Sequence, residues 1–509
     1  MSSSVLGNFN AACNRGRVRG HRRRGGAICR LGRNVQPMNP IQLPVISPHI
    51  TGSRAAPDAR PGGSGPRNGT CVYVETYGCQ MNVADTELIE GILQGAGFAT
   101  VREPDQADVI LVNTCAIRDH AEERVFGRLG ELTRFKRRKP WLVLGVTGCM
   151  AEHLKEGIPA RASAVDLVVG PDGYRKLPDL IAAMFEEDTD DPLLEVRLDR
   201  QENYVGIDPV RREGVTGWVT IVRGCDRFCT FCIVPYTRGR EKSVPPDEVV
   251  RAVCALAEDG YREVCLLGQT VNSYRHGGVD FADLLRLVSA VDGIERVRFT
   301  SPHPADLTPK LIDTMGEVRE VCPYVHLPLQ SGSNAVLARM RRDYTVEQYL
   351  HLVEDLRRAV PGLAISTDIV TGFCGETDQD FQATCRLMEE VRFDFAFMFK
   401  YSAREGTVAH RSIPDDVPEE VKAKRLRAII ELQERISAER HAERVGTTVE
   451  ILVEGAAKKD PKKVFGRAPD FKGVVVPGWW PKNTFLRVHV TASTPHTLFG
   501  VAAEEPPST

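Results

Sequence analysis

Short apolar runs alternate with amphipathic segments between residues 70 and 187, as they do in a chain of alternating strands and helices. The pattern predicts strands at 72–77, 108–113, 141–147 and 166–169, and helices at 85–93, up to 134, and at 173–185. Strands that alternate with helices form parallel sheets, so we predict an N-terminal parallel α/β domain over 70–187. An acidic break follows, and we interpret 188–210 as a linker.

A second and longer β/α series occupies residues 211–441. Its strands are predicted at 219–222, 263–267, 296–300, 324–327, 364–369 and 393–397, and its helices include 246–258, 281–291, 346–360, 378–390 and 419–444. Six repeats predict a partial barrel with functional residues on the loops after the strands. Residues 442–505 show strand alternation without a helix pattern, which predicts a small β-barrel.

Composition limits the class of protein and its partners. The 509 residues suit about three domains, and the net charge of −2 means that a nucleic-acid partner would need a local basic surface. No apolar run approaches the ~18 residues of a membrane span, so we predict no membrane segment. Residues 1–69 are rich in Arg, Gly and Pro and are predicted to be disordered. Three interpretations stay open for this tail: an unstructured extension before a true start at Met38, a mitochondrial presequence, or a basic RNA-contacting arm.

Fourteen cysteines in a chain of this size, without a secretory signal, indicate a reducing cytoplasm rather than a disulfide scaffold. Clustered cysteines there are metal ligands or catalytic groups more often than disulfides. Cys254, Cys265 and Cys385 fall at apolar positions of predicted helices or strands, so we expect structural roles for them. Cys322 and Cys374 lie near barrel loops and are less easily assigned.

The strongest chemical signal is Cys225, Cys229 and Cys232, spaced C-x3-C-x2-C on the loop after a predicted strand. Three thiolates hold three irons of a cubane cluster and leave the fourth iron open. An open iron can chelate S-adenosylmethionine and pass it one electron, which releases a 5′-deoxyadenosyl radical. A zinc site is the alternative, but no fourth Cys or His follows within the next dozen residues. With the aromatic Phe231 before the third cysteine, the run resembles the radical S-adenosylmethionine superfamily.

A second set of cysteines, Cys79, Cys115 and Cys149, follows three predicted strands of the N-terminal domain. Loops at the carboxyl edge of one parallel sheet converge, so we predict that these thiols meet at one point. The alternative is three unrelated buried thiols, because a free cysteine often serves as a small core residue.

Several segments together resemble the methylthiotransferase family over roughly residues 70–500. They are the two cysteine sets with their neighbours at 77–82, 113–122 and 147–150, and the later segments 267–274, 326–333 and 401–407. The resemblance implies an N-terminal methylthiotransferase domain, a radical core and a C-terminal TRAM domain that binds RNA. It also implies two 4Fe–4S clusters: an auxiliary cluster on Cys79, Cys115 and Cys149 that carries sulfur, and a radical-forming cluster on Cys225, Cys229 and Cys232.

Within the family, residues 115–118 and 234–239 resemble the branch that converts N6-dimethylallyladenosine at position 37 of tRNA into its 2-methylthio derivative. Alternatives are threonylcarbamoyladenosine or a ribosomal-protein aspartate as substrate. A non-catalytic RNA-binding metal protein is disfavoured because each cysteine triad leaves an iron open. The expected partners are the anticodon stem-loop of tRNA, an electron donor such as flavodoxin or ferredoxin, and a sulfur source, and we expect a monomer. The sequence departs from the family at Cys374, where proline is common, and at 466–472, which lacks a common asparagine.

Further contacts are predicted from position in the chain. Residues near barrel strand ends that could line the S-adenosylmethionine pocket, or merely cap loops, are Phe231, Gly268, Gln269, Asn272, Ser301, His303, Gln330 and Ser331. A basic stretch with aromatic neighbours predicts RNA contact at Lys458, Lys459, Lys462, Lys463, Arg467, Lys472, Trp479 and Trp480. The alternative for this stretch is a solvated charged loop with core tryptophans.

Overall fold

Six parallel strands form the sheet of the N-terminal domain, in the order β2-β1-β3-β4-β5-β6. The computed structural model describes residues 69–116, 119–186, 191–212 and 214–503, so nearly all of the predicted tail lies outside the described part. The strands are β1 Cys71–Thr76, β2 Ala99–Thr100, β3 Val109–Thr114, β4 Val143–Gly148, β5 Leu167–Val169 and β6 Leu193–Glu195. The helices are α1 Gln80–Gly95, α2 Asp119–Lys136, α3 Cys149–Leu154, α4 Gly157–Arg161 and α5 Leu177–Glu186.

Strands β3 and β4 are buried at every position, because separate apolar clusters cover the two faces of the sheet. Leu111 and Tyr174 belong to one cluster, and Ile110 and Leu129 belong to the other. This arrangement confirms the predicted parallel α/β domain.

Part of the segment predicted as a linker belongs to this domain. Strand β6 pairs in parallel with β5, through Leu193 and Leu167. The Tyr204 hydroxyl donates to the Pro171 carbonyl at 2.8 Å, and its ring stacks on Tyr174 with centroids 5.8 Å apart. The linker prediction for 188–210 was therefore wrong over these residues, because a three-residue strand and one buried ring are too short to leave a periodic pattern.

The central domain contains two three-stranded parallel sheets, β13-β10-β7 and β14-β15-β16, and a bridge from Val297 to Val321 links the first to the segment that leads into the second. Its strands are β7 Thr216–Thr220, β8 Val222–Arg223, β9 Lys242–Ser243, β10 Glu263–Leu267, β11 Arg275–His276, β12 Val279–Asp280, β13 Arg296–Phe299, β14 Tyr324–His326, β15 Ala364–Thr371 and β16 Phe395–Lys400. Its helices are α6 Val234–Thr237, α7 Pro246–Glu258, α8 Phe281–Ser289, α9 Pro309–Glu317, α10 Asn334–Met340, α11 Val346–Ala359, α12 Asp378–Val391, α13 Val408–Ser412 and α14 Glu419–Ala442. The six parallel strands β7, β10, β13, β14, β15 and β16 confirm the predicted partial barrel.

The C-terminal strands close into a small barrel in the order β17-β18-β19-β21-β20. They are β17 Thr448–Ala457, β18 Asp460–Arg467, β19 Gly473–Pro477, β20 Phe485–Thr494 and β21 Thr497–Ala502. The closed barrel agrees with the prediction, and β18 coincides with part of the basic stretch that predicts RNA contact. It forms a strand because Val464 packs into the barrel core. None of the described helices is long and apolar enough to cross a membrane.

The loop between β18 and β19 joins this barrel to the central domain. Phe471 stacks on Tyr324 with centroids 4.7 Å apart, and Arg298 donates to the carbonyls of Ala468 and Pro469 at 2.9 and 2.8 Å. Tyr324 begins β14, so the loop covers the amino ends of the central strands, opposite the loops that carry cysteines. Residues 468–472 are thus a docking loop between domains, whereas 466–467 are the end of β18.

Candidate functional site

Three adjacent strands of the N-terminal sheet place their following cysteines at one edge. Cys115 and Cys149 come directly after β3 and β4, and Cys79 lies three residues after β1. Gly78 has a positive φ of 150°, and a Cβ at that position would lie 2.9 Å from the Cys115 Cβ. The structure therefore brings together Cys79, Cys115 and Cys149, which we call the N-terminal triad.

Two buried asparagines cross-link the loops of this triad. The Asn82 amide donates to the Thr114 carbonyl at 3.0 Å and accepts from the Cys79 amide at 3.2 Å. Asn113 donates to the Asn82 carbonyl at 2.8 Å. These residues fall inside the family segments, but no role could be predicted for them, because asparagine at a strand end is also a common turn residue.

The thiols of the N-terminal triad differ in their electrostatic surroundings. A hydrogen bond from Cys115 and the nearby Arg238 guanidinium lower the pKa of Cys79 to about 6. Burial raises the pKa of the Cys149 thiol, although Arg238 Nε donates to Cys149 Sγ at 3.1 Å. Deprotonation of Cys149 therefore requires a group that compensates its burial, as metal coordination does.

The other predicted set of cysteines lies on the loop after β8. We call Cys225, Cys229 and Cys232 the radical triad. The Cys232 amide donates to the Cys229 carbonyl at 3.0 Å, and the Cys225 amide donates to the Gly239 carbonyl at 3.2 Å. Burial, followed by the charges of Cys229 and Cys225, raises the pKa of Cys232 to about 12. The three thiols are thus close enough to affect one another's ionisation.

A half-buried arginine also contacts the radical triad. Arg342 Nη1 donates to Cys229 Sγ at 3.3 Å, and its remaining nitrogens donate to the Tyr344 hydroxyl at 3.1 Å and the Pro328 carbonyl at 3.4 Å. Each triad therefore receives one guanidinium hydrogen bond on sulfur. Neither Arg238 nor Arg342 was singled out from the sequence, because a contact with a cysteine 89 or 113 residues away depends on the tertiary fold.

The donor chemistry of both triads fits iron–sulfur clusters. Thiolates are the usual protein ligands of such clusters, and each thiolate of a cubane binds a different iron. Within the described ranges, no three His, Cys, Asp or Glu side chains are placed to hold a single metal ion. The guanidinium groups on Cys149 and Cys229 match the negative charge of a thiolate-bound cluster.

Residues predicted for the cofactor pocket mostly hold the loops around the radical triad. Gln269 accepts from the Gly224 amide at 2.7 Å, next to Cys225. A Cβ at Gly268 would lie 3.1 Å from Val222. Asn272 donates to the His303 carbonyl and accepts from the His303 amide, both at 2.8 Å. These bonds are those of loop capping, and cofactor contact by these residues stays a prediction.

His303 is buried beside this loop. Burial, with the charges of Arg342 and Arg227, lowers its pKa to about 2, so the imidazole is neutral. Its Nδ1 accepts from the Ala305 amide at 3.3 Å, while Nε2 has no partner in the part of the chain that the structure describes. The imidazole therefore offers one uncommitted nitrogen to a ligand.

The remaining predicted pocket residues occupy constrained backbone or packed positions. Ser301 and Gln330 have positive φ values of 55° and 69°, which places both in the left-handed region. Ser331 is fully buried and lies 3.4 Å from the Thr384 hydroxyl. Phe231 packs edge-to-face on Phe373 with centroids 6.3 Å apart. Ser331 in particular is a packed residue.

The predicted RNA contacts divide into exposed and buried groups. Lys458, Lys459 and Lys462 are exposed, and Trp479 is 61% exposed. Lys463 is half-buried beside Asp460. This part of the barrel surface is accessible to a partner.

Of the other predicted RNA contacts, Lys472 and Trp480 are buried, and Arg467 is half-buried in an ion pair. Lys472 is buried in an ion pair with Asp394, and Arg467 pairs with Glu454 at 2.8 Å. Trp480 is 8% exposed in the barrel core. RNA contact by Lys472 and Trp480 was therefore a wrong prediction, because domain docking and core packing, rather than local charge, decide where these side chains lie.

Two family models match this chain. Residues 71–170 match the model described as Uncharacterized protein family UPF0004, and residues 219–388 match the Radical SAM superfamily. The solved radical S-adenosylmethionine methyltransferase TsrM from Kitasatospora setae has a TM-score of 0.51 and 13% identity, covering 65% of this chain and 75% of that one. At that identity the likeness concerns the fold alone.

Much closer relatives have the name tRNA-2-methylthio-N6-dimethylallyladenosine synthase. One from Chloroherpeton thalassium is 44% identical over 438 residues, which cover 85% of this chain and 96% of the relative. Others from Porphyromonas gingivalis and Phocaeicola vulgatus are each 45% identical, covering 86% and 84% of this chain and 96% and 95% of the relatives. These matches confirm the family that the sequence motifs indicated: the chain belongs to the tRNA-2-methylthio-N6-dimethylallyladenosine synthase family of radical S-adenosylmethionine enzymes.

Proposed function

We propose that this chain is a methylthiotransferase that converts N6-dimethylallyladenosine at position 37 of tRNA into 2-methylthio-N6-dimethylallyladenosine. The relatives named for this activity support the substrate. The observation that carries the proposal is the contact between the two cysteine sites. Arg238 lies six residues after Cys232, yet it donates to Cys149 Sγ at 3.1 Å. The site of radical formation and the site of sulfur donation therefore adjoin.

In this proposal the N-terminal triad holds an auxiliary 4Fe–4S cluster, and the radical triad holds the 4Fe–4S cluster that binds S-adenosylmethionine. When bound, the two clusters and S-adenosylmethionine supply a sulfur atom, a methyl group and a carbon radical able to react at the otherwise inert adenine C2–H. The protein domains are then a methylthiotransferase domain at 70–187, a radical core at 211–441 and a TRAM domain at 442–505.

The chain's own residues keep water away from the junction of the two sites. Ala116 and Cys149 form a buried apolar cluster with Ile233, and Tyr236 packs against it. Cys79 packs against a second cluster that includes Met81 and Leu267. Both clusters join N-terminal and central residues. An enclosure of this kind protects a carbon radical from side reactions with solvent.

Binding of the tRNA is assigned to the exposed face of the small barrel. Lys458, Lys459 and Lys462 offer positive charge to phosphates, and Trp479 offers a ring on which a base can stack. The proposal places the protein in the cytoplasm as a monomer that takes electrons from a flavodoxin- or ferredoxin-type donor and sulfur from a separate source.

Mass spectrometry of tRNA nucleosides tests the substrate. A strain that lacks this gene should accumulate N6-dimethylallyladenosine, and the wild-type chain should restore the 2-methylthio nucleoside. A Cys225→Ala chain should restore nothing, because a radical triad without one thiolate cannot retain the cluster that forms the radical. Restoration of methylthiolated threonylcarbamoyladenosine, or of a modified ribosomal protein, in place of the expected nucleoside would assign the chain to another branch.

A further inference from the structure

A buried ion triad connects the segments that flank both cysteine sites. Asp85 is fully buried and accepts from Arg223 at 2.5 Å and from Arg238 at 2.7 Å. Asp85 lies on α1, six residues after Cys79. Arg223 and Arg238 lie just before and just after the loop of the radical triad. A single carboxylate therefore ties the two cluster loops together.

The charges of this ion triad do not balance. Two guanidinium groups face one carboxylate, with the Tyr174 hydroxyl 3.4 Å from Asp85 and the Tyr204 ring 4.7 Å from Arg223. The charge of Glu202 also acts on Arg223, but Glu202 pairs with Arg175 at 2.8 Å. A buried cation without a counter-charge is unfavourable. Arg238 shares the charge of Asp85 with Arg223, so a further negative charge beside Arg238 would be stabilised there.

The hydrogen bonds of Arg238 show where that charge belongs. Nη2 donates to Asp85, and Nε donates to Cys149 Sγ at 3.1 Å. Nη1 is buried and finds no acceptor among the residues that the structure describes. A buried N–H group without an acceptor is rare in native proteins. A group bound next to Cys149 would supply that acceptor.

We propose that Arg238 is a positioning residue for sulfur: it donates Nε–H to the Cys149 thiolate and Nη1–H to a sulfur atom of the cluster held by the N-terminal triad. This inference rests on the proposed function, which assigns a cluster to that triad. Hydrogen bonds to cluster sulfurs and a nearby positive charge stabilise the reduced, more negative state. Arg238 therefore raises the reduction potential of the auxiliary cluster, and the part of this effect that comes from its hydrogen bonds to sulfur is not expected of an arginine that serves only to join domains.

The test uses the full chain with Cys225, Cys229 and Cys232 changed to Ala, so that one cluster remains after anaerobic reconstitution. Arg238→Lys and Arg238→Gln are each added to this parent chain. Arg240→Gln is the matched control, because Arg240 is nearby but pairs with Asp226 on the surface, where its side chain is 56% exposed. Iron and sulfide are counted. The midpoint potential is measured by a redox titration that is monitored by electron paramagnetic resonance.

We expect about four irons per parent chain. The midpoint potential should fall in Arg238→Lys, because lysine keeps the positive charge but lacks the several N–H donors of the guanidinium group. It should fall further in Arg238→Gln, because glutamine also lacks the charge. Arg240→Gln should match the parent. A loaded cluster with the parent's potential in both Arg238 variants would overturn the inference alone, whereas a parent chain that binds no iron would overturn the proposed function as well.

A second measurement needs no change at residue 238. The parent chain is labelled with nitrogen-15 arginine, and pulsed electron paramagnetic resonance of the reduced cluster detects coupling to nearby nitrogen. Arginine coupling is expected, and its absence would overturn the inference even if both Arg238 variants fail to fold.

Discussion

Lys472 of the C-terminal barrel and Asp394 of the central domain form a buried ion pair. Asp394 also accepts from the Ile365 amide at 2.9 Å, so the pair anchors the barrel to the base of the central sheet. The barrel is thus fixed at the amino ends of the central strands, while both cysteine triads lie on loops that follow strands.

Loss of this ion pair should destabilise the protein. Among the described residues, Lys472→Met leaves Asp394 with Arg440, at 3.4 Å, as its remaining salt-bridge partner. Breaking a buried pair by removing one partner costs about 3–5 kcal/mol. In urea, Lys472→Met should unfold with a lower midpoint concentration than wild type. Lys462→Met, at an exposed position, should unfold with the wild-type midpoint. Equal midpoints for the two variants would show that the pair does not hold the domains together.

The exposed lysines of the barrel should control tRNA affinity. The triple change of Lys458, Lys459 and Lys462 to Ala should weaken binding and reduce the slope of log affinity against log salt by about 2–3, since each phosphate contact contributes about 0.7–0.9. Filter binding over a series of salt concentrations measures the slope. A slope equal to that of wild type would place the RNA on another surface.

Trp479 should contribute by stacking rather than by charge. Trp479→Ala should cost about 1–3 kcal/mol of tRNA binding and leave the salt slope unchanged, because base stacking releases no counterions. Trp480→Ala serves as the contrast, because this core residue should lower the unfolding midpoint. If both tryptophan variants changed only stability, Trp479 would have no role in binding.

Asn82 should be needed for retention of the auxiliary cluster. Asn82→Ala removes the acceptor of the Cys79 amide and the donor to the Thr114 carbonyl, each of which then lacks that partner in a buried loop. We expect the iron content of a chain with only the N-terminal triad to fall. Gln94→Ala, at an exposed position on the same helix, should keep wild-type iron. Equal iron in both would mean that the loops hold their shape without Asn82.

His303 should make stability depend on pH. Its pKa of about 2 in the folded chain lies below the ~6.5 of an unfolded histidine, so its contribution is complete above about pH 6.5 and is lost as the pH falls from there. By pH 4.5 the loss reaches about 2–3 kcal/mol. His303→Asn should unfold with less dependence on pH between 4.5 and 6.5, whereas His276→Asn, on the surface, should follow wild type. Identical pH profiles for wild type and His303→Asn would contradict the buried neutral imidazole.

The sequence predicted features that depend on local order and missed those that depend on how the domains meet. The sequence could predict that Cys79, Cys115 and Cys149 lie close together, because each follows a strand of one parallel sheet. The contact between Asp85 and Arg238 could not be predicted, because these residues lie 153 positions apart and in different domains. Lys472 resembles the exposed lysines near it in sequence, and only the docking of the barrel on the central domain shows that it is buried.

The most direct test of the central claim is an in vitro assay of Cys79→Ala with an anticodon stem-loop that contains N6-dimethylallyladenosine. Reconstituted wild-type protein with S-adenosylmethionine and a reductant should form the 2-methylthio product. Cys79→Ala should still cleave S-adenosylmethionine to 5′-deoxyadenosine but should form no methylthio product, because the radical triad is intact and the sulfur site is not. Methylthio product formed by Cys79→Ala at the wild-type level would contradict the assignment of the two triads to two different tasks.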